Sequence, residues 1–156
     1  LGVDFFFFFI KEKCYKNIAE IRKKCGDRAV LRAIHIFDEN KRVLAQKSAL
    51  KNGDFDKFFK LVNESGESSY NLLQNIYSTS KPTEQAIPLA LALTKQFLGD
   101  RGACRIHGGG FAGTIQCYIP NEMFADYKRM IEAVFGSGSC VKLFVRAVGG
   151  YEIKGE

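Results

Sequence analysis

No stretch of this 156-residue chain approaches the ~20 consecutive apolar residues needed to cross a bilayer. The longest apolar run, Phe5 to Ile10, falls far short, and it lacks the basic start and small-residue cleavage site of a signal peptide. Cysteine is present five times but never as a CxxC pair, and neither His35 nor His107 has a cysteine at ligand spacing. A zinc site or a disulfide framework is therefore not expected. Cys14, Cys25, Cys104, Cys117 and Cys140 read as small buried residues of a reducing compartment, with the cytoplasm as the simplest location. The 23 basic residues outnumber the 17 acidic ones, yet the only dense basic patch is Arg22-Lys23-Lys24, with no nucleic-acid motif beside it. These absences argue against nucleic-acid and membrane partners. At 46% hydrophobic and 26% charged residues, what is left has the balance of an ordinary globular protein, with room for one domain and an extension.

The residue pattern changes character near residue 100. From about Ile10 to Leu98 the apolar positions recur at helical spacing; from Ala103 onward they alternate as in strands, around one further helix. Ile18, Ile21 and Cys14 share a helical face before a break at Gly26-Asp27. Leu31, Ile34, Val43, Leu44 and Leu50 predict the apolar stripe of a long helix from Arg28 to Lys51, stopped by Asn52-Gly53. Asp54 is placed to cap the next helix, whose inner face carries Phe55, Phe58, Phe59 and Val62. Ser65-Gly66 reads as a break, Ser68 to Ile76 as a short helix, Ser78 to Pro82 as a loop, and Thr83 to Leu98 as a last helix. Pro88 inside that stretch requires a kink or a later start. Strands follow at Ala103–His107, Thr114–Ile119 (Ile115, Cys117 and Ile119 on one face) and Cys140–Ala147. Between the last two lies a helix with Met123, Tyr127, Met130, Ile131 and Val134 as its inner stripe. The five phenylalanines Phe5 to Phe9 read as a buried strand. The order predicts an α+β fold: a helical first half, then a small antiparallel sheet with one packed helix.

The most informative segment is the glycine loop after the first strand, His107-Gly108-Gly109-Gly110-Phe111-Ala112-Gly113. Three adjacent glycines remove every Cβ from a hairpin tip, so the backbone can take positive φ, approach another surface closely, or converge its N–H groups on an anion. A wide hairpin turn with a bulge accounts for the same residues. The segment fits neither the Rossmann pattern, which needs a parallel strand feeding a helix, nor the P-loop, which needs a following Lys and Ser/Thr.

Arg105-Ile-His-Gly-Gly-Gly-Phe-Ala-Gly113 resembles the third signature motif of the GHMP kinases (the galactokinase, homoserine kinase, mevalonate kinase and phosphomevalonate kinase superfamily). Within that superfamily the chain is most similar to the galactokinase family. Arg32-Ala-Ile-His-Ile-Phe-Asp-Glu-Asn40 followed by Arg42-Val-Leu44 resembles a segment of that family, and Asn52 to Ser65 resembles the short helix after it. Phe144-Val-Arg146 with Gly149-Gly150 looks like the last strand of a bacterial member. The likeness covers about Arg28 to Tyr151.

The resemblance implies the C-terminal, ferredoxin-like domain of an ATP-dependent sugar kinase over residues 28–156, with residues 1–27 as an extension. Such a kinase moves the γ-phosphate of ATP to the anomeric hydroxyl of D-galactose, giving galactose 1-phosphate, with magnesium as a further requirement of the full-length protein. The residues expected at the nucleotide are His107, Gly108, Gly109, Gly110, Phe111 and Gly113. No catalytic or metal-binding residue is expected here, because the sugar-recognition, phosphate-loop and catalytic motifs of the family belong to an N-terminal domain and have no counterpart in this sequence. That domain is the expected partner, sharing a cleft for galactose and ATP. Alone, these residues are expected to be inactive, to hold no cofactor tightly, and to have an open sheet edge through which copies could associate. His107 departs from the Thr or Ser common in the family, and Ala112 stands where glycine is common. Two other outcomes are consistent with the same residues: a galactokinase-like sensor that binds ATP and sugar without turnover, and a GHMP kinase for another small sugar or polyol.

Overall fold

A computed structural model of the chain describes residues 3–111, 113–145 and 148. The element order is α1 (Val3–Lys16), α2 (Ile18–Cys25), α3 (Asp27–Lys51), α4 (Phe55–Ser68), a π-helical turn (Ser69–Leu73), α5 (Ala86–Leu98), β1 (Ala103–His107), β2 (Thr114–Tyr118), a 3-10 turn (Asn121–Met123) and α6 (Phe124–Phe135). The α+β class and its order, helices before an antiparallel hairpin with a helix following, are as the sequence predicts.

β1 and β2 pair antiparallel, from Ala103 opposite Tyr118 to His107 opposite Thr114. Strand alternation sends Ala103 and Arg105 to one face and Cys104 and Ile106 to the other. The first face meets α3 and α4 in a cluster of Ala49, Phe58, Val62 and Ala103, with Phe59 and Tyr118 packed on it. Tyr118 lies edge-on to Phe58 with ring centroids 5.2 Å apart. The second face meets α5 in a cluster of Ile76, Leu91, Cys104 and Ile106, with Ile115 and Cys117 against it. A hairpin with both faces covered has its sharpest burial at β1, where Ile106 is 0% exposed; removing such a side chain from water stabilises by roughly 1.5–3 kcal/mol.

β1's outer edge is satisfied by α4. The Cys104 N–H donates to Asn63 Oδ1 at 3.0 Å, and Asn63 Nδ2–H donates to Gly102 O at 3.3 Å. This explains the first departure from the sequence reading. Ser65-Gly66 does not break α4. Gly66 is instead the point where the helix touches the strand: a Cβ there would lie 3.1 Å from both Cys104 O and the Arg105 Cβ. The missing side chain serves close packing, not a bend.

Several other boundaries differ. Asp54 caps α4 as expected, accepting the Lys57 N–H at 3.0 Å. The predicted helix from Ser68 to Ile76 shrinks to the π-helical turn, closed by Gln74 in the left-handed region (φ 55°) with its N–H on Ser69 O at 2.8 Å. α5 begins at Ala86, so Pro88 sits in its first turn, where a missing N–H costs no helical bond. On α3 the buried stripe is Val30, His35, Phe37 and Ala49, while Val43, Leu44 and Leu50 are exposed. The helix is longer than the surface that covers it, and a polar network occupies its inner middle. On α6, Tyr127 and Ile131 are buried but Val134 is exposed. The buried Tyr127 hydroxyl is within hydrogen-bond reach of Thr94 Oγ1 (2.8 Å) and Cys117 Sγ (3.3 Å).

The phenylalanine run is helical, not a strand: it lies within α1, and Phe9 is exposed. Of the cysteines only Cys104 is fully buried, its thiol pushed up to about 12 chiefly by burial, whereas Cys25 is exposed. The expected strand from Cys140 is not formed over 140–145, and residues 146–147 lie outside the described residues. Leu143, Phe144 and Val145 are 84%, 83% and 98% exposed. An alternating segment becomes a strand only where a ladder partner and a covering face exist, and the described residues supply neither.

Candidate functional site

The hairpin tip between β1 and β2 is built to hold a particular backbone shape. His107 closes β1 opposite Thr114 and is exposed, as are Gly108 and Gly109; Gly110 is half-buried. Gly108 (φ 64°), Gly110 (φ 80°) and Phe111 (φ 65°) take positive φ, but Gly109 does not. Left-handed backbone is free for glycine and costly for most other residues, so Phe111 must be held there by its surroundings.

The surroundings are Asn75, a residue the sequence reading passed over. The Phe111 N–H donates to the main-chain oxygen of Asn75 at 2.7 Å, and Asn75 Nδ2–H donates to Gly109 O at 3.3 Å. Between these two bonds Gly110 passes so close that a Cβ would lie 2.1 Å from Asn75 O. The close approach expected of the glycine run is thus made by Gly110. A Cβ on Gly108 or Gly109 would meet nothing within 4 Å, so the outer part of the tip faces open space. Gly113 is exposed, without positive φ, and Ala112 lies outside the described residues.

One turn of strand below the tip, a polar network joins α3, α4 and β1. His35, Glu39 and Arg42 fall at i, i+4 and i+7 on one face of α3. Glu39 accepts from Arg42, from the Ser65 hydroxyl and, at 3.2 Å, from Arg105 Nη1, which also donates to Ser65. Arg105 Nε donates to Ile106 O at 3.0 Å. Burial alone would push the Glu39 carboxyl up, but the Ser65 hydrogen bond and the two guanidinium groups outweigh it and hold it below its usual value. His35 is buried and shares a 2.9 Å hydrogen bond with Ser68 through Nδ1. Burial pushes its pKa down; Glu39 opposes this, and the charges of Arg42 and Arg105 add to it. The segment from Arg32 to Leu44 that carries part of the resemblance therefore serves here to lock α3 to β1, while Asn40 within it is exposed.

Among the described residues, this arrangement can present backbone groups from a clamped hairpin tip. Of the residues predicted for the site, His107, Gly108, Gly109, Gly110, Phe111 and Gly113 all lie at this tip. The residue missed, Asn75, is remote in sequence and has no local signature. Only the unusual demand of Gly110 for a close neighbour hints that something must meet it.

Comparison with known proteins points one way. Galactokinases of Glaesserella parasuis and Actinobacillus pleuropneumoniae are each 32% identical to the chain over 120 residues. A galactokinase of Mannheimia succiniciproducens is 31% identical over 113. This is a galactokinase-related domain. The match takes in 77% of the chain for the first two relatives but only 29% of their own length, so the chain spans under a third of the galactokinases it resembles. No family model matches the chain, and no solved structure matches it at significance. Among the described residues, no helix of this galactokinase-related domain is long and apolar enough to cross a membrane.

Proposed function

We propose that this domain supplies the glycine-loop wall of the nucleotide site in an ATP-dependent galactose kinase. The observation that carries the reading is the hairpin tip itself. Its backbone is fixed at positive φ at Gly108, Gly110 and Phe111, and its outer side is free of Cβ atoms and faces open space at Gly108 and Gly109. Such a tip admits a phosphate chain to within hydrogen-bond distance of main-chain N–H groups, which is how glycine-rich backbone neutralises transferring phosphoryl charge. That the relatives are galactokinases supports the same choice of substrate and reaction.

In this reading His107 and residues 108–111 and 113 border the nucleotide phosphates, and the bound nucleotide with magnesium supplies the phosphoryl group. The residues that activate the anomeric hydroxyl of galactose belong to the part of the enzyme outside these 156 residues. A domain boundary near residue 28 and a reducing, cytoplasmic setting, in keeping with the free cysteines, are parts of the same proposal. The exposed apolar segment around Leu143 is proposed to be covered by that other part, or by a second copy when the domain stands alone.

The deciding experiment measures ADP release from ATP, magnesium and galactose for these 156 residues and for a chain extended upstream by about a domain's length. Activity confined to the longer chain supports the reading. Turnover by the 156 residues alone would place the catalytic groups wrongly, and binding of both ligands without turnover by the longer chain would make the protein a sensor.

A further inference from the structure

We propose that Asn75 is a positioning residue that sets the orientation of the Gly109–Gly110 peptide and so aims the Gly110 N–H at the ligand side of the tip. This rests on reading the tip as the nucleotide-facing wall.

The geometry of one peptide carries the inference. Asn75 Nδ2–H donates to Gly109 O, so that carbonyl points toward the helical half of the domain. The described chain has no cis peptide bond, and in a trans peptide the N–H points opposite to the C=O. The Gly110 N–H is therefore directed away from Asn75, toward the outer side of the loop. By the same rule, the inward Phe111 N–H, bound to Asn75 O at 2.7 Å, sends the Gly110 carbonyl outward. The clamp thus presents one donor and one acceptor side by side, suited to a phosphate oxygen next to a hydroxyl or a metal-bound water.

The residue type supports this. Asn75 is 3% exposed, and its Oδ1 is buried with no hydrogen-bond partner among the described residues. An unpaired buried acceptor is a cost that an apolar side chain beside Ile76 would avoid. What an apolar side chain could not give is the donor to Gly109 O. Its position is equally forced: Gln74, in the left-handed region, turns the chain out of the π-helical turn and delivers Asn75 to the loop. That turn continues α4, whose Ser68 is held by His35, so the loop's anchor is fixed from α3 onward. A glycine tip is floppy by itself; Asn75 is what gives this one a single shape.

The test uses the chain extended upstream, as in the activity experiment above, with Asn75→Ala and Asn75→Asp. Alanine removes the donor and leaves the main-chain bond to Phe111. Aspartate keeps the shape but sets an oxygen against Gly109 O. Loss of one such bond predicts about fivefold faster amide exchange at Phe111, whose N–H is the one held by Asn75, and about fivefold weaker ATP binding for Asn75→Ala. The effect is larger for Asn75→Asp, with galactose affinity unchanged in both. Unchanged exchange in both variants, or an equal loss of galactose and ATP binding, overturns the proposal. If the unaltered chain binds no nucleotide, the functional reading fails by itself, and the exchange rates still decide whether Asn75 fixes the loop.

Discussion

The middle of this domain and its two ends obey different rules. In the middle, from α3 to β2, polar groups at the α4–β1 contact find partners across elements: Asn63 on β1's edge, Ser65 and Arg105 on Glu39, Ser68 on His35. At the ends, α2 has no buried residue, α1 is tied to α3 through the 2.7 Å Lys11–Asp38 ion pair, and the residues around Leu143 have their apolar side chains in solvent. The difference teaches where the fold is self-sufficient. The hairpin is specified by residues within the chain, whereas the ends carry apolar surface that needs another covering.

The largest effect is expected in the middle. Ile106→Ala leaves a cavity between β1 and α5 at a fully buried position and should cost about 2–5 kcal/mol in chemical denaturation. A loss under ~1 kcal/mol would mean that the hairpin is not the centre of the core. Gly110→Val follows. Its Cβ would lie 2.1 Å from Asn75 O at φ 80°, a separation that real Cβ atoms do not reach, so the tip must move. If the tip borders the nucleotide as proposed, misplacement on the scale of 1 Å costs on the order of 100-fold in rate, which steady-state kinetics of the chain extended upstream would register. Gly109→Ala, with nothing within 4 Å of the new Cβ, should change the rate by no more than a few-fold. Equal losses at the two glycines would remove the distinction between the clamped and open sides of the loop. Asp54→Ala should cost about 1 kcal/mol by loss of the cap on Lys57 N–H.

What the sequence makes legible follows the same division. Asp54 and the hairpin strands are readable from the sequence because capping and period-two alternation are local. The glycine tip is readable as a place of positive φ and close approach, because both follow from the missing Cβ atoms. What it approaches was not readable, because Asn75 is brought there by tertiary packing across more than thirty residues. Gly66 misleads for the same reason: a helix glycine that meets a strand looks, in sequence, like one that ends a helix. Period alone puts Val43, Leu44 and Leu50 inward, because it cannot say which stretch of a long helix is covered. The alternation after Cys140 predicts a strand because alternation reports the capacity to pair, and a partner is a separate fact.

Acid should loosen the middle before the ends. The pKa of His35 is depressed below its usual 6.5, so as pH falls through that value the unfolded chain takes up a proton that the folded one refuses. The stability contributed by neutral His35 is present above the unfolded pKa and lost progressively as pH drops toward the folded one. Glu39, Arg42, Arg105 and Asp38 are the charges that act on this ring, and the depressed Glu39 extends the loss to lower pH. Melting temperature should fall between pH 7.5 and 5.5, and His35→Gln should flatten that slope even if it lowers stability throughout. An unchanged slope would assign the acid sensitivity elsewhere.

The smallest effect is expected at the end beyond α6, and it separates the two regions most sharply. Leu143 is 84% exposed, so Leu143→Ser removes no burial in the domain and should leave its stability within about 0.5 kcal/mol. If the apolar side chains there exist to meet the rest of the enzyme, the same substitution should destabilise the longer chain and reduce self-association of the shorter one, read by denaturation and light scattering. A null effect in both would make the segment a plain extension. A large loss in the 156-residue chain itself would show that this end folds back onto the hairpin, and that the middle is less self-sufficient than its hydrogen bonds imply.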